Sequence, residues 1–480
     1  MCSRVEMERV NVGRLMRTVV HLKPRQVWFQ VWRRVQKKLD PHPACGCGEL
    51  PAFTFLNLRA RPHGWNDTSL DFLWRYNLHY FDKGQELIGR WIAENPRGSF
   101  PGWDPYPTSL RIVNWVKWLE ANPGATNRER VKDSLRLQLE WLSGHVEWHL
   151  LANHLLANLK ALVIGNRYLG RAEGKWMRLY KEQMEEQILP DGGHFERSVM
   201  YHAIVLEDAL DVLHFCETRE AAWLHPVVER MLVYLVDMTG PDGKIVMFND
   251  AADGIAKSTR ALCDEAARLG IKVPETRAFA DFPQTGYARM TVGDFVLFVD
   301  AAPIGPDYQP GHAHADTLTY ELYYKGVKVV SDAGTSEYRG TRRAFERSTA
   351  AHNVVEVDGR DSSEVWSSHR VGSRAKIVMR TVSPTRISAA YNGNGGCVRR
   401  RFELTVNGLT ITEHVSSGDA CVTRVHFAPG KERVLQLEMA GVEWGRYACA
   451  QEFGKVAEAA VASASFGADR EFAYRLTVRK

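Results

Sequence analysis

Tyr287-Ala-Arg-Met-Thr-Val-Gly-Asp-Phe-Val-Leu-Phe-Val-Asp300 is the stretch where the character of the chain changes. Its Val, Phe and Leu residues fall at strand-like spacing, and such side chains suit a pleated, half-buried surface. Downstream, Thr317–Tyr324 alternates, with Leu318, Tyr320, Leu322 and Tyr324 on one face. Lys325-Gly326 predicts a turn, and Val327–Ser331 returns as a strand. Val354–Val357, Phe402–Val406, Leu409–His414 and Val422–Phe427 read as further short strands. Upstream, the spacing is helical: Leu135, Leu139 and Leu142; Leu206, Leu210 and Leu213; Val228, Leu232 and Leu235. Pro123-Gly124, Asp191-Gly192-Gly193 and Pro241-Asp242-Gly243 break these runs into helical hairpins. Helices followed by strands predict two segregated parts: a helical domain over 51–282 and a β domain over 283–480, behind a basic lead-in over 1–50.

A chain of 480 residues is too long for one ordinary core, so a multidomain protein is expected. With 45% hydrophobic and 25% charged residues, the composition is that of a globular protein. The net charge of +5 is mild and permits an anionic ligand. No basic run with interleaved aromatics follows the first 40 residues, so nucleic acid is not an expected partner. The eight cysteines are scattered; Cys45 and Cys47 are too close for an ordinary disulfide, and reduced or buried thiols are expected. No apolar core of a signal peptide follows the charged start, which leaves the compartment open. No run of 18 apolar residues exists, so no transmembrane segment is expected. Val10–Val35 alternates basic and apolar residues and contains Trp28 and Trp32. That pattern fits a helix docked on the main domain or one in peripheral contact with a membrane.

Four clusters concentrate titratable residues inside apolar surroundings. His149-Leu-Leu-Ala-Asn-His154-Leu-Leu-Ala-Asn158 places His154 and Asn158 on one helical face. Asp191–His202 leads from a Gly-Gly turn into a helix whose first turns are expected to carry Glu196, Arg197, Tyr201 and His202. A nearby Arg lowers a phenol pKa, which would suit Tyr201 to proton transfer. Gly311-His312-Ala-His314-Ala-Asp316 enters a strand, and His314, Asp332 and His352 together offer a nitrogen–oxygen–nitrogen set of a kind that zinc accepts. Phe248–Gly254 reads as a polar loop stabilised by Asn and Asp side chains.

The chain resembles the heparinase II/III-like polysaccharide lyases. The resemblance rests on Asn153-His154-Leu-Leu-Ala-Asn158, Asp191–His202, Gly311–Leu322 and Ala351–Asp361, in that order, and covers roughly residues 60–375. Trp65-Asn-Asp67, Asn77-Leu-His-Tyr-Phe81 and the lead-in resemble a subgroup associated with bacterial surface polysaccharides. The family implies an incomplete (α/α) toroid followed by an antiparallel β-sandwich, and β-elimination on a uronate-containing acidic polysaccharide such as a glycosaminoglycan or exopolysaccharide. It implies Asn153 as the amide facing the substrate carboxylate with His154 beside it, Tyr201 as acid and for some epimers base, and His312 as base on the opposite face. Chemistry adds Arg197, with His202 and Glu196, as substrate contacts. The family also implies a structural Zn2+ held by His314, Asp332 and His352, and no organic cofactor; its members usually act in the periplasm or outside the cell. His312 and His314 would share a face in a regular strand, so separate sites for them require irregular backbone.

Two other readings stand beside this one. Helical toroids also host glycoside hydrolases, which need two opposed carboxyls; Glu196 and Asp250 are the nominees. A non-catalytic polysaccharide-binding or assembly protein is the third, against which the intact set of Asn153, Tyr201 and His312 argues.

Overall fold

The computed structural model describes residues 12–216 and 218–479. Cys2, Arg4, Glu6, Glu8 and Arg9 lie outside the described residues. Two helices, Val12–Val19 and Pro24–Leu39, come first, and the main helical part follows. Its centre is Ala152–Tyr168, a helix buried along nearly all its length because Leu, Ala, Val and Ile fill every face. Pro105–Ala121 and Val199–Phe215 pack against it on either side, and Arg128–Gly144 and Gly174–Gln187 cover it from outside. Val199–Phe215 in turn packs against His225–Asp237 and Thr259–Arg268. This alternation of inner and outer helices is the incomplete toroid.

The β part holds a five-stranded antiparallel meander of Phe279–Phe282, Tyr287–Val292, Phe295–Asp300, Tyr320–Tyr324 and Val327–Val330. The stretch that opens the strand pattern is therefore a hairpin, turned at Gly293-Asp294. A four-stranded sheet orders Glu443–Glu452, Lys455–Phe466, Cys421–His426 and Val355–Val357, and meets the meander through the Val330–Phe427 bridge. A six-stranded sheet built on Lys376–Ser383, Arg386–Gly393, Gly396–Thr405 and Gly408–Val415 forms the opposite layer.

Phe295–Asp300 explains how the two parts join. All six residues are buried. Phe295, Leu297 and Val299 point into the sandwich core with Phe402, Ile411 and Leu476. Val296 and Phe298 point the other way, into the helical core. The period of two thus serves two cores, which is why the segment reads as continuously apolar. Gly192-Gly193 tightens the same junction. Gly192 has φ +93°, and a Cβ on Gly193 would lie 2.1 Å from Thr285 Oγ1. Asp191 completes it, accepting from the backbone N–H groups of Gln284 and Thr285 at 2.8 Å each.

The seven described cysteines form no disulfide, and Cys216, Cys421 and Cys449 are buried. No helix among the described residues is long and apolar enough to cross a membrane.

Candidate active site

A cleft of about 1710 Å³ is walled by both parts of the molecule, and Asn153, His154, Tyr201 and His312 all line it. Asn153 sits at the start of its helix, directly after Leu151 and Ala152, whose φ angles are +62° and +52°. Left-handed backbone at two consecutive non-glycine residues is strained and is sustained only by tight surroundings. Arg197 and Asn249, also at positive φ, are joined by a 3.2 Å hydrogen bond from Asn249 Nδ2 to the Arg197 carbonyl.

Asn153 donates from both its backbone N–H (3.2 Å) and Nδ2 (3.0 Å) to Glu196 Oε1, and its Nδ2 lies 3.3 Å from His312 Nε2. Burial holds Glu196 above its usual carboxyl range, which favours the uncharged acid. His154 lies beside Asn153, facing the cleft, with Nδ1 3.2 Å from Glu147 Oε2. Burial disfavours its cation, but the Glu147 carboxylate more than offsets this and raises the pKa. Asn158, on the same face as expected, also donates to Glu147 Oε2, at 3.2 Å.

Tyr201 follows Ser198, whose hydroxyl accepts from the Tyr201 N–H and caps the helix. Its hydroxyl is 2.8 Å from that of Tyr338. Burial, followed by Tyr338 and the negative charge of Asp250, pushes the phenol pKa well above its usual value. This reverses the expectation of a lowered pKa. The helix starts at Val199, so Arg197 lies before it, and its guanidinium donates to the carbonyls of Thr285 (2.9 Å) and Phe195 (3.3 Å). His202 is fully buried against the Met231 carbonyl at 3.0 Å. Neither residue, nor Glu196, lines the cleft, so the three nominated substrate contacts stand behind its wall.

His312 and His314 lie in irregular chain before Tyr320, the backbone that separate sites for them would need. One carboxylate holds both. Asp250 Oδ2 accepts from His312 Nδ1 at 2.9 Å, and Oδ1 is 2.8 Å from His314 Nε2. Arg343 grips both oxygens, with Nη2 2.8 Å from Oδ2. Burial alone would raise Asp250, but Arg343 and the two histidines drive its pKa well below the usual value. With Nδ1–H bound to this anion, His312 carries its lone pair on Nε2, which lies 3.3 Å from Asn153 Nδ2 and 3.5 Å from Glu196 Oε2 at the edge of the cleft that His312 lines. The Phe248–Gly254 loop is more than the turn its Asn and Asp residues suggest; Asp250 makes it the anchor of the site. Arg343 and Tyr338 carried no sequence signal, because each meets its partner from far along the chain; Glu147 lies only seven residues before His154 and is missed by sequence reasoning.

Behind His312, ligand atoms of His314, Asp316 and His352 lie within 4.8 Å of one another, all buried. His314 Nδ1 and His352 Nε2 have no hydrogen-bond partner. Asp332, expected as the oxygen ligand, instead accepts from His352 Nδ1 at 2.7 Å and orients that ring, and Asp316 takes its place in the cluster. Two imidazole nitrogens without a hydrogen-bond partner and a carboxylate in a buried site fit a divalent cation.

Residues 144–269 match the heparinase II/III N-terminal family and residues 274–470 the heparinase II/III-like C-terminal family. The chain belongs to the heparinase II/III-like family. Solved structures of this fold include a heparinase III at 15% identity and TM-score 0.66, covering 86% of this chain and 74% of that one. A second heparinase III gives 13% identity and TM-score 0.63 over 87% and 81%. Heparan sulfate lyase HepC from Pedobacter heparinus gives 14% identity and TM-score 0.60 over 86% and 76%. At these identities the likeness is one of fold. No curated protein matches in sequence. The heparinase II/III-like fold accounts for the helix-then-sandwich order and for a cleft at the junction.

Proposed function

We propose that this protein is a polysaccharide lyase that cleaves a uronate-containing acidic polymer by β-elimination. The observation that carries the proposal is the convergence of Asn153, Tyr201 and His312 at one place in the cleft, with Tyr201 and His312 stacked at 3.7 Å between ring centroids and Asn153 Nδ2 3.3 Å from His312 Nε2.

The C5 proton of a uronate is weakly acidic, and its removal requires that the adjacent carboxylate be neutralised. The Asn153 amide and its neighbour His154, whose pKa the Glu147 carboxylate raises, suit that task, with Glu196 bonded to the amide from behind. His312 Nε2 then takes the C5 proton, and the C5–H electrons form the C4–C5 double bond. The C4–O4 bond breaks, and O4 takes the proton of the Tyr201 hydroxyl. A phenol whose pKa is raised keeps its proton until the leaving oxygen demands it, which suits Tyr201 to the acid role. Tyr338 supports the resulting phenolate through its 2.8 Å hydrogen bond.

His314, Asp316 and His352 would hold a divalent cation such as zinc, with Asp332 orienting His352. Bound there, the ion would brace the β part behind His312. The hydrolase alternative draws no support: Glu196 and Asp250 are both buried and bonded behind the cleft wall.

Mass spectrometry of the products tests the proposal. Elimination gives fragments whose new non-reducing end lacks one water relative to hydrolysis. Fragments carrying that water would refute it.

A further inference from the structure

The helix Pro24–Leu39 is amphipathic the wrong way round for a docked helix. Its stripe of Gln26, Phe29, Arg33 and Gln36 faces the body of the protein. Gln26 is 1% exposed and donates to the Tyr308 carbonyl at 3.1 Å; Gln36 donates to that of Gly144 at 2.8 Å. Arg33 lies 3.7 Å from Asp40 and 4.0 Å from Asp104, and Phe29 sits against Trp148. The opposite stripe of Val27, Trp28, Val31, Trp32, Val35 and Leu39 faces solvent, with Trp28 68% and Val31 56% exposed. In the preceding helix, Val12, Met16 and Val19 are exposed as well. A contiguous apolar face held outward by specific polar contacts is the form of a surface that another phase or molecule covers.

Charge selects the occupant. Residues 12–39 contain eight Lys and Arg and no Asp or Glu, while the rest of the chain holds 54 basic and 57 acidic residues. Arg34 and Lys38 are exposed along the edge of the apolar stripe. Outward Trp and Val bordered by Lys and Arg match the interface of an anionic bilayer, where indole rings sit at headgroup depth and cations meet lipid phosphates. We infer that residues 12–39 dock this protein on an anionic lipid surface. Leu15, Thr18, Arg34 and Lys37 of the same segment also line the cleft, so docking sets the cleft mouth beside the membrane. The inference does not rest on the lyase reading.

The test is co-sedimentation of the full chain with vesicles of equal parts phosphatidylcholine and phosphatidylglycerol, against vesicles of phosphatidylcholine alone. Binding to the anionic vesicles is expected, weakened by added salt and lost in the Trp28→Ser/Trp32→Ser variant. Both side chains are exposed, so the variant should keep its thermal transition and its cleft. Absent binding, equal binding to both vesicle types, or unchanged binding by the variant would overturn the inference. So would a dimer in light scattering that the variant dissolves without any vesicle binding, which would give the face to a second copy of the chain.

Discussion

The ring of Tyr201, from the helical part, stacks on that of His312, from the β part, with centroids 3.7 Å apart and planes 28° from parallel. The two groups proposed to move protons are thus held together by the contact between the two halves of the molecule. Tyr201→Phe preserves the stack and removes only the hydroxyl. Turnover should fall about 10²- to 10⁴-fold, with the thermal transition nearly unchanged. Steady-state rates and a melting curve on the same preparation check this; near-normal turnover would remove Tyr201 from the chemistry.

Asp250 separates orientation from proton transfer. His312→Ala should abolish most turnover and leave the fold intact. Asp250→Asn should reduce turnover by misdirecting His312, and should also destabilise by about 3–5 kcal/mol, because Arg343 is left as an uncompensated buried charge. Denaturant unfolding of the two variants distinguishes the roles. Equal stability would mean that Asp250 and Arg343 do not form the buried pair described.

The Glu147–His154 pair predicts a pH dependence. The folded pKa of His154 is raised, so its contribution to stability is full below the ordinary histidine value and is lost as pH rises through the raised one. That of Glu147 is lowered: burial opposes the anion, but His154 outweighs it. Its contribution therefore stands above the ordinary carboxyl value and is lost as pH falls through the lowered one. The gap in melting temperature between the wild type and Glu147→Gln should be widest between these limits and close on the alkaline side. A pH-independent gap would contradict the pairing.

The buried His314–Asp316–His352 cluster predicts a bound ion. His352→Ala and Asp316→Asn should each lower metal content, measured by elemental analysis, and lower the melting temperature. Asp332→Asn should weaken metal binding by roughly 10- to 100-fold, as loss of a ligand-orienting group does. Undiminished metal content in Asp316→Asn would restore Asp332 as the oxygen ligand.

The class of fold was legible because long stretches with helical spacing, such as Leu135, Leu139 and Leu142, dominate before Pro283 and strand-like alternation dominates after it. The residues on the cleft were legible through local motifs, Asn153-His154 and His312-Ala-His314. What binds them was not. Asp250 meets His312 across 62 positions, and Arg343 meets Asp250 across 93. No local pattern encodes such distances. Arg197 and His202 looked like cleft residues because they neighbour Tyr201, but one precedes the helix and the other points from its opposite face into the core. The family resemblance points to Asp332 as the oxygen ligand, whereas Asp316 is the carboxylate that lies with His314 and His352, and Asp332 is bonded to the other nitrogen of His352.

The most direct test of the central claim is the ultraviolet absorbance of a C4–C5 unsaturated uronate while the protein is offered heparan sulfate, hyaluronan, alginate and bacterial exopolysaccharides. A rise with at least one of these polymers, abolished by Tyr201→Phe, is the predicted result. New reducing ends with no rise in absorbance, or a rise that Tyr201→Phe leaves intact, would contradict it.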